Sequence, residues 1–157
     1  MNMYDKFIQI FSRLEEFEVE YILIGGFAVI LYGLPRLTND IDLFIKPDEE
    51  NINKFKKALK AAIDDSCIDE ITLEMLNDYQ VVRYGSPEGI YIDLIINLGS
   101  AFTYNDLDFT IKEIDGCRVR IATAETLYKM KKDTVRPVDK SDAFFLADLL
   151  KNNKEKH

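Results

Sequence analysis

Two carboxylates inside an apolar strand constrain this chain more than any other feature. Residues 25–45 read GGFAVILYGLPRLTNDIDLFI. The pattern predicts a strand from Asn39 to Ile45, and side chains two apart on a strand share a face. Asp40, Asp42 and Phe44 then fall on one side, and Ile41, Leu43 and Ile45 on the other. The apolar side belongs to a core, so the two acids emerge together at the start of the strand. Held ~4 Å apart, two carboxylates repel by roughly 4 kcal/mol at an effective dielectric near 20. Net protein stability is only about 5–15 kcal/mol, so this repulsion requires a compensating cation. With oxygen ligands and no histidine or cysteine nearby, Mg²⁺ or Mn²⁺ is favoured over zinc. The structural alternative is a pair of turn acids at a strand edge.

The residues upstream fit the same chemistry. Tyr21–Ile24 is a short, wholly apolar run, expected as a buried strand ending at Gly25. FAVILYG follows as a short helix closed by Gly33 and Pro35. Gly25-Gly26 thus lies at a strand-to-helix junction. Glycine there permits close backbone approach, and a helix start offers N–H groups to phosphate. Alone, the pair also fits an ordinary tight turn. A third acid, Asp93, sits by itself in GIYIDLII, where a charge is costly unless paired or bound to metal. If that strand lies beside 39–45, three carboxylates converge, an arrangement able to hold two metal ions for phosphoryl transfer. The alternative for Asp93 is an edge residue paired with a lysine.

The remaining periodicities predict an α+β (mixed α/β) domain around one sheet. Phe7, Ile10, Phe11 and Leu14 mark one face of an opening helix, about 3–17. Asp48 caps a helix whose apolar face includes Ile52, Phe55 and Leu59. Residues 64–77 fit either strand or helix. YQVVRYG and GIYIDLII form one expected hairpin. FTIKEIDG and CRVRIA form another, turning at Asp115-Gly116. Thr123 is expected to cap a helix to about Lys132, and Asp139 to cap a last helix beyond Pro137. The length suits one domain, taken as 1–151, with 152–157 as a frayed tail.

Composition removes several classes. A net charge of −8 argues against an extended basic nucleic-acid footprint, although Lys and Arg cluster near 129–140. Cys67 and Cys117 form no CxxC motif and the one histidine is His157, which excludes a Cys/His zinc site. Two reduced thiols suit a cytoplasmic protein. No signal-peptide pattern opens the chain, and no apolar run is long enough for a membrane span.

The spacing G25-G26-(13 residues)-D40-I41-D42, with Arg36 and Thr38 just before the acids, resembles the signature of the polymerase-beta-like nucleotidyltransferase superfamily. It looks closest to small bacterial members, including toxin–antitoxin and abortive-infection nucleotidyltransferases. K131-(4)-R136-(2)-D139-(2)-D142 is similar to a C-terminal helical motif of that group. The resemblance implies a central mixed sheet with helices packed on it. It implies transfer of NMP from an NTP to a hydroxyl acceptor with release of pyrophosphate, using Mg²⁺ or Mn²⁺, two ions in all. Gly25 and Gly26 would bind the triphosphate, with Arg36 and Thr38 adjoining. Asp40, Asp42 and Asp93 would hold the metals, with Asp93 also the acceptor-side base. Lys131 and Arg136 would contact phosphates. The acceptor stays open between a protein hydroxyl, a tRNA 3′ end and a small molecule, and a partner protein is possible. Two other readings are a toxin–antitoxin component acting mainly by partner binding and a nucleotide-binding module without turnover. From spacing alone, Lys131 and Arg136 also fit a solvated basic face, and Asp139 and Asp142 fit a helix-start pattern with a structural role.

Overall fold

The computed structural model describes residues 2–98, 102–131 and 137–155, with side chains of the last segment from 141 to 152. The opening helix α1 spans Met3–Glu16. It buries Phe7, Ile10, Phe11 and Leu14, and Asn2 caps it by accepting the Asp5 N–H at 2.8 Å. Strand β1 (Tyr21–Ile24) is buried throughout and runs directly into helix α2 (Gly25–Leu31). Strand β2 covers Asp40–Ile45, and Asp48 caps helix α3 (Glu49–Ala62) by accepting the Asn51 N–H. The ambiguous stretch resolves as a 3-10 turn, Ser66–Glu70, and helix α4, Leu73–Asp78. Thr72 caps α4, accepting the Met75 N–H, so local capping selects helix over strand.

Strands β3 (Val82–Gly85) and β4 (Tyr91–Ile95) form the first expected hairpin. Two short strands, β5 (Asn97–Leu98) and β6 (Phe102–Thr103), make a small separate sheet that periodicity does not reveal in runs so brief. Strands β7 (Phe109–Ile114) and β8 (Cys117–Ala122) form the second hairpin. Its turn residues Asp115 and Gly116 both take positive φ, 50° and 80°, as the Asp-Gly signal demands. Helix α5 (Ala124–Lys131) is capped by Thr123, whose Oγ1 accepts the Thr126 N–H. Helix α6 (Pro137–Glu155) begins at Pro137. Asp139 is therefore inside the helix and is not its cap; a proline's fixed φ suits the first helical position.

The fold is α+β. The main sheet has the order β3-β4-β2-β1-β8-β7 and mixes directions. Pairs β2/β4 and β1/β8 are parallel; β3/β4, β1/β2 and β7/β8 are antiparallel. Helix α1 packs against α3 and β8, while α2 packs on β1 and β2 and meets α5 and α6. One continuous apolar cluster joins these layers. Phe44 shares a face with the two acids yet is fully buried. The central strand β2 is thus covered on both sides in its second half and opens only at Asp40 and Asp42. Among the described residues, no helix is long and apolar enough to cross a membrane.

Candidate active site

Strand register brings the acids together. Asp42 stands opposite Asp93 in the parallel β2/β4 pair, and Asp40 opposite Tyr91, so all four side chains share one face. Asp40 and Asp42 are half-buried and Asp93 is buried. The Asp42 carboxyl is pushed up from 3.8 to about 7. Burial contributes most, followed by a hydrogen bond to Asp93 and repulsion from Asp93 and Asp40; Lys131 opposes the shift. The Asp40–Asp42 repulsion inferred from the sequence is present but is a smaller contribution than burial and Asp93.

A fourth side chain was not foreseen. Arg83 on β3 stands opposite Asp93. Its Nε and Nη2 donate to the two Asp93 carboxylate oxygens at 2.8 and 2.9 Å, and Nη2 also reaches Asp40 at 3.4 Å. Its guanidinium lies 4.9 Å from the Tyr91 ring centroid. Tyr91 in turn packs over Gly85, where an added Cβ would come within 3.1 Å of the ring. The partner of Asp93 is therefore an arginine on the neighbouring strand. Alternation in VVRYG offers a retrospective signal, because Arg83 points the same way as Gly85 in a strand next to the lone acid. Among the described residues, no group of three or more acidic, histidine or cysteine side chains is arranged as a ready metal cage.

The two glycines leave room for side chains. A Cβ on Gly25, which has φ +76°, would overlap the Asp42 carboxylate. A Cβ on Gly26 would overlap the Arg36 guanidinium. Arg36 in turn donates from Nη1 to both oxygens of Asp142 on α6, at 2.9 and 3.1 Å. Lys131, at the end of α5, donates to Asp142 at 2.9 Å. Asp142 is fully buried and Lys131 nearly so. Asp142 is thus the anion that holds two expected phosphate contacts in place, which a helix-start spacing alone did not reveal. Thr38 Oγ1 accepts the Asp40 N–H at 3.1 Å and fixes the entry to β2. Arg136 lies outside the described residues, as does the side chain of Asp139.

The donor set suits a hard divalent cation. Asp40 and Asp42 are paired acids on one face, and the raised pKa of Asp42 means that a proton and a cation would compete for the pair. The loop from Arg36 to Asn39 also borders an apolar cavity of about 550 Å³, lined further by Tyr4, Phe7, Phe27 and Ile30.

A family model described as the nucleotidyl transferase AbiEii toxin of type IV toxin–antitoxin systems matches residues 9–140. No curated protein matches the chain. Similar solved structures include the lincomycin-bound lincosamide antibiotic adenylyltransferase LnuA. It shows 16% identity and a TM-score of 0.57, over 91% of this chain and 95% of that one. The antibiotic-resistance factor ANT(2'')-Ia shows 17% identity and a TM-score of 0.54, over 96% and 86%. An antigenic nucleotidyltransferase-like protein from Paracoccidioides brasiliensis shows 19% and 0.54, over 92% and 75%. At these identities the likeness is one of fold.

Proposed function

This chain belongs to the AbiEii nucleotidyltransferase toxin family, and on that premise we propose that it transfers NMP from an NTP to a hydroxyl acceptor with the help of a divalent cation. The observation that carries the reading is the convergence of Asp40, Asp42 and Asp93 from adjacent strands, beside the Gly25-Gly26 junction. When bound, a divalent cation would offset charge on the α-phosphate and the departing pyrophosphate. The acceptor oxygen bonds to the α-phosphorus, the bond from that phosphorus to the bridging oxygen breaks, and pyrophosphate leaves. The acceptor's proton passes to the carboxylate cluster. Gly25, Gly26 and Thr38 shape the triphosphate side, and Arg36, Lys131 and Arg136 supply positive charge to it. Most of the catalysis is positioning and charge stabilisation. The acceptor is a protein hydroxyl, a tRNA 3′ end or a small molecule, and a cognate antitoxin partner would regulate its use.

The test is label transfer from each of the four α-³²P-labelled NTPs, with Mg²⁺, to tRNA, to protein and to small acceptors. Wild type should label one class. Asp42→Asn should fall by about 10²–10³-fold, the range seen when transition-state charge stabilisation is lost. Transfer by Asp42→Asn at the wild-type rate would remove the acid cluster from the reaction.

A further inference from the structure

Strand β7 ends the sheet order on one side, so one of its edges pairs with β8 and the other is open. All six of its residues pair with β8 in regular register, with no proline, glycine or bulge to blunt the strand. An open edge of that kind is a template for another strand. The Asp108 carbonyl accepts the Thr123 N–H at the foot of the hairpin. Ladder bonds alternate along an antiparallel strand, so Thr110, Lys112 and Ile114 turn their backbone groups to β8. Phe109, Ile111 and Glu113 turn theirs to the open edge. Phe109 and Ile111 also share one face, where they are 40% and 41% exposed.

The residue pattern selects what fits this edge. If two copies of β7 meet antiparallel about a twofold axis, opposed side chains share a face and the residue on the axis meets its own copy. Lys112 or Glu113 on the axis would oppose like charges. Ile111 there would set Phe109 against the other copy's Glu113. Phe109 or Ile114 there would leave no strand overlap beyond itself. Thr110 on the axis gives a consistent set: Thr110 with Thr110, Phe109 with Ile111, and Asp108 with Lys112. Hydroxyl pairs, aromatic–β-branched pairs and opposite charges are the cross-strand pairs that stabilise sheets. In this register Phe109 and Ile111, whose backbone groups face outward, also become the hydrogen-bonded pairs. Asp108 is exposed, and Lys112, 5.0 Å from the Tyr32 ring centroid, is half-buried.

We propose that β7 is a dimerisation edge, to which a second copy of this chain adds its own β7 antiparallel with Thr110 on the twofold axis, joining the two main sheets into one. Strands β1 and β8 stand between β2 and this edge, so the β2 acids lie about 14 Å from β7 at ~4.8 Å per strand. The interface leaves the acid cluster of each copy uncovered.

The experiment is sedimentation equilibrium of the full chain from low to high micromolar concentration, with a disulfide test beside it. Wild type should pass from monomer to dimer mass as concentration rises. Thr110→Lys, which sets two ammonium groups opposite each other, should stay monomeric with an unchanged circular dichroism spectrum. In a Cys67→Ser background, which removes the exposed native thiol, Thr110→Cys should oxidise to a covalent dimer, because non-hydrogen-bonded pairs bring side chains closest. Lys112→Cys should not. A wild type that is monomeric throughout overturns the proposal. So does a dimer that Thr110→Lys leaves intact, or one that crosslinks through Lys112→Cys as fast as through Thr110→Cys. If Thr110→Lys does not fold, the wild-type masses and the two crosslinks decide.

Discussion

Asp42 concentrates the chemistry of the site in one carboxyl. Its folded pKa of about 7 lies above the ordinary 3.8, so the folded chain holds more protons than the unfolded chain between those values. Stability from this group is full at acid pH and is lost as pH rises toward 7. The charges that face it are Asp40, Asp93 and Lys131, with Arg83 on the far side of Asp93. Without divalent ions, Asp42→Asn should therefore raise Tm relative to wild type by more at pH 8 than at pH 5. Parallel thermal melts in EDTA check this, and an equal difference at both pH values would contradict it. Added Mg²⁺ should stabilise wild type more at pH 8 than at pH 5, since the ion replaces a proton at low pH. The Gly25 prediction is steric. Gly25→Ala places a methyl against the Asp42 carboxylate at a positive φ. It should destabilise the fold by about 1–3 kcal/mol and depress NTP-dependent activity together with it. A chemical denaturation curve beside the label-transfer assay would show both.

Elements carry the second polar construction, in which Asp142 of α6 binds Arg36 from the loop after α2 and Lys131 from α5. Removing a buried anion from two cations leaves uncompensated charge. Asp142→Asn should thus cost about 3–5 kcal/mol, read as a lower urea midpoint. Replacing all three residues together by apolar side chains of similar volume should recover much of that loss, because a buried ionic group adds little net stability. The recovered protein should remain inactive if Arg36 and Lys131 serve the phosphates. This contrast also shows what the sequence could reveal. The acids of β2 were legible because strand alternation is local, and the Asp115-Gly116 turn because its φ demand is local. Arg83 and Asp142 were not legible, since each acquires its meaning from a partner on another element. Nothing local marks Arg83 within VVRYG, and Asp142 reads like one acid of a helix start. The boundary at Pro137 was missed because an Asp is a good cap in general, whereas a proline at the first helical turn is equally good.

At the scale of the molecule, one apolar cluster links the sheet to α1, α2, α3 and α5. Unfolding of the chain should accordingly be a single cooperative transition, with far-UV circular dichroism and tyrosine fluorescence giving coincident urea curves. Separated curves would mean that α6 or the β7/β8 hairpin melts on its own. The net charge of −8 acts at this scale too. If tRNA is the acceptor, few phosphates are neutralised, and binding should weaken only shallowly with salt compared with a basic RNA-binding protein.

The tie from Arg36 to Asp142 spans 106 positions of sequence. During synthesis, a ribosome that has released the strands through β4 has already delivered all three acids of β2 and β4, together with Arg83. Arg36, in the loop that leads into those acids, lacks its carboxylate partner until α6 emerges. Contacts so distant in sequence form late. The ties of Asp142 to Arg36 and Lys131 therefore wait for α6, after the strands that carry the acids are already in place.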